Sequence, residues 1–131
     1  MLSVSFVPLN RRGADAVSRS WEKNKMELIE RLKCLIEKNP EDAFPRYGLA
    51  MEYRKKGHHK QAIRVFEDLL GHHPEYIPAY LQFGMSLVVQ GDHQEAREVF
   101  SRGVNLAIEK KQDHAREELQ AALSELLEQM E

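Results

Sequence analysis

The side chains with the most chemistry to offer here are six histidines and one cysteine. The histidines fall as His58-His59, His72-His73, His93 and His114. His59 and His93 are 34 residues apart, a spacing that would repeat one ligand in two neighbouring structural units. Zinc is the ion such a set would suit, held at about 2 Å by ligands that are commonly Cys and His and usually four in number. Equivalent atoms in stacked helical units, however, lie on the order of 10 Å apart, the packing distance of helices. No second ligand pattern closes that gap. The histidines are therefore expected to be solvated turn residues, and no metal or other cofactor is expected. Cys34 is the only cysteine, which excludes an internal disulfide. With no His or Asp placed nearby in sequence to activate it, a reduced, half-buried thiol is expected.

Catalysis finds no other foothold. The sequence has no Gly-rich phosphate loop, no His-Glu-x-x-His pair and no nucleophile elbow, so no enzyme is expected. The densest basic stretch is Arg54-Lys55-Lys56-Gly57-His58-His59-Lys60. It could meet an acidic partner or phosphates, but it reads first as a solvated turn favoured by a helix C-terminus. No aromatic side chains interleave it, as stacking on a single strand would require. Nineteen basic and 21 acidic residues leave a formal net charge of −2, too small a field to imply nucleic acid or an anionic membrane. No apolar run approaches the roughly 20 residues of a membrane helix. Met1–Leu9 is mildly apolar but has no preceding positive charge, and Arg11-Arg12 follow without a small-residue cleavage site. It reads as neither a signal nor a transit peptide, and the cytoplasm is the expected location.

The elements that would position these residues are helices. At 131 residues, 42% hydrophobic and 31% charged, the chain suits one soluble helical domain with a core of its own. Five pairs recur at an offset of 34: Pro40 and Pro74, Gly57 and Gly91, Ala62 and Ala96, Val65 and Val99, Phe66 and Phe100. Leu28, Ile29, Leu32 and Leu35 stand one period before Ala62, Ile63, Phe66 and Leu69, as a second half-unit lacking its first. From Ala14 to Lys38, Val17, Trp21, Leu28, Leu32, Leu35 and Ile36 recur at helical spacing, and Asn39-Pro40 ends that helix. The next begins near Ala43, with Pro45 in its first turn, and ends at Lys55-Lys56-Gly57. His59–Leu70 form its partner, closed by Gly71. Pro78 opens a further helix that closes at Gly91. Asp92-x-x-Glu95 offers a capping box for the one after it, and Asp113 a cap for the last. That last helix carries a stripe of Ala115, Leu119, Ala122, Leu123, Leu126, Leu127 and Met130, with Glu117, Glu118, Glu125 and Glu128 on the other face. A terminal unit has one neighbour only, so 112–130 reads as a solubilising cap. A coiled-coil dimer seam is its alternative. Residues 1–13 carry no such pattern and are expected as a flexible tail.

These residues resemble the tetratricopeptide repeat family, whose unit is a 34-residue helix–turn–helix. One unit shows Leu49-Ala50, Tyr53, Ala62, Phe66 and Pro74; the next shows Tyr80, Phe83-Gly84, Leu87, Ala96 and Phe100. With the half-unit, the resemblance covers roughly residues 20–108. Arg46 stands in a large-residue position, Leu69 in a small one, and Ile108 where a third proline would fall, so the last helix of the second unit should run on. The resemblance implies an all-α, right-handed solenoid of about six helices forming one domain over 14–131. Its parts would be an N-terminal helix over 14–38, units over 43–76 and 77–110, and a final helix over 112–130.

The resemblance also implies a protein-binding scaffold in which the first helix of each pair lines a groove. The groove residues would be Phe44, Tyr47, Met51, Arg54 and Lys55 from the first unit and Leu81, Gln82, Met85, Val88 and Val89 from the second. Spacings of three and four keep each set on one helical face. The surface is mostly apolar, and its methionines suit an adaptable interface. Some family members grip the C-terminal carboxylate of a chaperone tail with a basic set. Tyr47, Met51, Leu81 and Gln82 are not such a set, which disfavours that ligand. A short apolar peptide or helix is the expected partner. The alternatives are filling by the N-terminal helix or by Met1–Leu9, and self-association into a homodimer through the groove or the last helix.

Overall fold

The computed structural model describes residues 28–131. The expected tail over 1–13 and the 14–27 part of the first helix, with Val17 and Trp21, lie outside the described residues. Among the described residues the chain forms six α-helices and no strand. They are α1 (28–38), α2 (Ala43–Lys55), α3 (His59–His72), α4 (Ile77–Val89), α5 (His93–Glu109) and α6 (Asp113–Met130). From α2 onward each helix packs on the next, and α4 also touches α2 and α6. The result is a right-handed solenoid in which α2, α4 and α6 form one layer and α3 and α5 lie behind it.

The 34-residue period becomes a core because the repeated positions face the same junctions. Ala62, Phe66, Ala96 and Phe100 are all sealed from solvent, and Phe66 stacks on Phe83 with ring centroids 5.8 Å apart. Gly84 lets α5 come close: a Cβ there would sit 2.3 Å from the Phe100 ring. Gly103 does the same against Tyr80 and Leu119, where a Cβ would meet atoms at 2.7 and 3.0 Å. Such close approach is why small side chains recur at fixed points of the pattern.

Two kinds of turn alternate. After α2 and α4 the chain makes a Schellman-type C-cap, in which His58 N donates to Tyr53 O at 2.9 Å and Asp92 N to Leu87 O at 2.9 Å. Gly57 (φ 81°) and Gly91 (φ 86°) supply the left-handed residue each turn requires. The turn after α3 is different. Pro74 restrains His73 to φ −133°, ψ 72° and so ends the helix. The turn after α5 is again of the first kind, with Gln112 N donating to Ala107 O at 2.9 Å, but its left-handed residue is Lys111 (φ 57°).

Several expectations need correction. α3 runs through Gly71 to His72, because Gly71 stays right-handed and the stop comes from Pro74. Asp92 occupies the N-cap of α5 but its side chain makes no capping bond, so the box is not closed. Asp113 lies inside α6, whose N-cap is Gln112. Cys34 is exposed on a helix where Leu32 and Ile36 are half-buried and Leu28 and Leu35 are exposed. His59, His73 and His93 are half-buried, with Nδ1, Nε2 and Nδ1 respectively shielded from solvent, so these three rings are not fully solvated as expected. The run-on expected at Ile108 is present, α5 having 17 residues against 14 in α3.

Arg46 explains itself in three dimensions. It is buried, and it donates through Nη1 to the Pro40 carbonyl and through Nε to Asp68 at 3.0 Å. One period later, Tyr80 is also buried and its hydroxyl donates to the Pro74 carbonyl. Both side chains reach back six residues to the proline that closes the preceding unit. A guanidinium and a phenol thus donate to the equivalent backbone oxygen of successive units, each bond contributing about 0.5–1.5 kcal/mol.

Candidate binding groove

The face shared by α2, α4 and α6 holds two cavities of about 230 Å³ each. Toward the helix N-termini, the first is walled by Tyr47 from α2, by Pro78, Leu81 and Gln82 from α4, and by Ala115, Glu118 and Leu119 from α6. Toward the C-termini, the second is walled by Arg54, by Met85, Val88 and Val89, and by Ala122, Glu125 and Leu126. Of the residues expected in the groove, Tyr47, Arg54, Leu81, Gln82, Met85, Val88 and Val89 are therefore brought together. Met51 and Lys55 line a separate hollow of about 460 Å³ with Gly48, Glu52, His59 and Arg54. Phe44 lines none of these three hollows and stands 69% exposed at the N-terminal end of α2.

Local sequence sets these positions. Asp42 caps α2 by accepting from Phe44 N at 3.1 Å, which fixes the start of the helix and the phase of its groove face. Tyr47 packs on Phe66 and Tyr76 at centroid distances of 6.5 and 5.3 Å. Burial raises its phenol pKa; Tyr76 adds to the rise and Arg54 opposes it. The hydroxyl is therefore a neutral donor on the groove wall. Tyr47, Met51, Leu81 and Val88 keep one side against the core, whereas Met85 and Val89 are exposed. Arg54 crosses from α2 to α4, donating to Gln82 Oε1 and lying 3.9 Å from the Met85 sulfur. It ties the two walls together and puts a cation on the rim.

The α6 wall was missed by sequence reasoning. Glu118 and Glu125 were expected on its outer face, but they line the two cavities. His114 Nε2 lies 3.2 Å from Glu118. The available signal was a slip in the period. Leu49 and Phe83 are buried one period apart, and the next buried equivalent is Leu119, two residues late. The extra length of α5 absorbs that slip, so α6 is a third first-helix rather than a cap alone.

Other chemistry is sparse among the described residues. No three His, Cys, Asp or Glu side chains come together as a metal group. No helix is long and apolar enough to cross a membrane.

A family model described as tetratricopeptide repeat matches residues 53–126, more than half of the chain. No curated protein matches the sequence. Among solved structures, the chain is similar to a tetratricopeptide repeat domain protein from Salinibacter ruber, with 30% identity and a TM-score of 0.63 over 66% of this chain and 88% of that one. It is similar in fold to PcrH, solved in complex with the chaperone binding region of PopD, at 14% identity and TM-score 0.75, covering 94% and 93% of the two chains. It is also similar in fold to the TPR2B domain of yeast Sti1, solved in complex with an Hsp70 peptide, at 16% identity and TM-score 0.74 over 82% and 86%.

Proposed function

Because this chain belongs to the tetratricopeptide repeat family, we propose that it is a non-catalytic protein-interaction scaffold that takes a short apolar peptide or helix into the groove formed by α2, α4 and α6. One observation carries the reading: two cavities open side by side on a single face of three helices, the one toward the C-termini largely apolar and the other of mixed polarity. Open apolar surface of this kind marks an interaction site when it is contiguous. PcrH and the Sti1 domain, each solved with a bound segment of another protein, support the same reading by fold. Each apolar anchor buried there would contribute roughly 1.5–3 kcal/mol, less the costs of ordering and association.

The test is affinity capture with the wild-type chain and with Met85→Glu/Val89→Glu. Both residues are exposed, so the variant should keep its helical circular dichroism. A partner held by the wild type and lost by the folded variant supports the groove. A partner held equally by both sinks it. Light scattering at two concentrations tests the second reading, a homo-oligomer through the groove or α6. A mass that rises with concentration in the wild type and not in the variant favours that reading.

A further inference from the structure

The two cavities are one site drawn twice. Leu81 and Val88 on α4, Ala115 and Ala122 on α6, and Glu118 and Glu125 on α6 are corresponding wall residues, and each pair is separated by seven positions. Seven residues are two helical turns, about 10.5 Å. The cavities therefore repeat along the helix direction at the spacing of a coiled-coil seam, each with an apolar side chain of α4 (Leu81 or Val88) and a carboxylate from α6 (Glu118 or Glu125) in its wall.

We infer that the groove is built for a basic amphipathic helix with two apolar anchors seven residues apart and Lys or Arg flanking them on the side facing α6. This rests on the groove reading above and narrows its ligand. A helix lying beside α4 and α6 shares their rise and so meets both cavities in register. A β-strand does not fit: its same-face side chains fall about 6.7 or 13 Å apart. A polyproline segment repeats every three residues, about 9.3 Å, and matches the interval of about 10.5 Å less closely than a helix does. The charge side follows from the walls. Glu118 and Glu125 face the site from α6, the former already drawing His114. From the α2 side comes Arg54, held by Gln82 and Met85. A cationic edge of the ligand thus belongs against α6.

The experiment uses fluorescently labelled peptides and anisotropy on the full chain. One alanine-rich helical peptide carries leucines seven apart with flanking lysines. A second has the same composition with leucines five apart. A third replaces the lysines with glutamates. A fourth is proline-rich with leucines three apart. The first should bind at least about tenfold more tightly than each of the others, a preference that Glu118→Lys/Glu125→Lys should transfer to the glutamate peptide. Both glutamates are exposed, so this variant should fold. Equal binding of the first two peptides, tighter binding of the glutamate peptide to the wild type, or tighter binding of the proline-rich peptide would each overturn the inference. If no peptide discriminates while Met85→Glu/Val89→Glu still loses the captured partner, the helix inference fails and the groove reading stands.

Discussion

Arg46 and Tyr80 show how a repeat tolerates an apparent break in its pattern. The position requires a donor long enough to reach the carbonyl of the proline six residues back, and either side chain supplies one. Arg46→Ala should destabilise the fold by about 1–3 kcal/mol, through the lost packing of a buried side chain and of its bonds to Pro40 and Asp68. Arg46→Tyr should recover most of that loss, and urea denaturation measures both. Glu95 makes a second case. Burial, then the charges of Glu67, Asp92 and Glu98, raise its pKa above the ordinary carboxylate value. Its folded form therefore binds a proton more readily than its unfolded form. The stability linked to it is full below the ordinary carboxylate pKa and is lost as pH rises through the raised value. Glu95→Gln should raise Tm at neutral pH and leave it nearly unchanged in acid. Thermal melts across that range check the sign, and a lower Tm at neutral pH would contradict it.

Whole helices obey the same logic through their glycines and turns. Gly84 and Gly71 both lie within helices, yet their substitution should act in opposite directions. A Cβ at Gly84 meets the Phe100 ring, whereas at Gly71 it meets nothing within 4 Å. Gly84→Ala should cost about 1–3 kcal/mol by overpacking, and Gly71→Ala should gain about 0.5–1 kcal/mol from helix propensity. Denaturant midpoints distinguish the two. The turn before α6 offers a third change. Lys111 holds a left-handed backbone that Gly57 and Gly91 hold elsewhere, so Lys111→Gly should stabilise by about 1 kcal/mol. A lowered Tm would show that this conformation carries no strain.

The molecule as a whole was legible in sequence wherever the period of 34 holds. Ala62, Phe66, Ala96 and Phe100 specified which faces meet, and the α2 and α4 sides of the groove followed from helical spacing. What could not be read was set by departures from the period. The longer α5 delays α6 by two residues, and this turned Glu118 and Glu125 from an expected outer face into the third wall. Met51, although on the groove face by spacing, opens to a different hollow, which it lines with Gly48, Lys55 and His59. Termination of α3 was misread at Gly71 because glycine permits a left-handed turn without demanding one, whereas Pro74 compels the stop.

The central claim is that partners bind across α2, α4 and α6 and not on the opposite side. Hydrogen–deuterium exchange of the chain with and without its captured partner tests it directly. Slowed exchange is expected along α4 and the facing turns of α2 and α6, with α3 and α5 unchanged. Protection confined to α3 and α5 would contradict it and place the binding surface on the other layer of the solenoid.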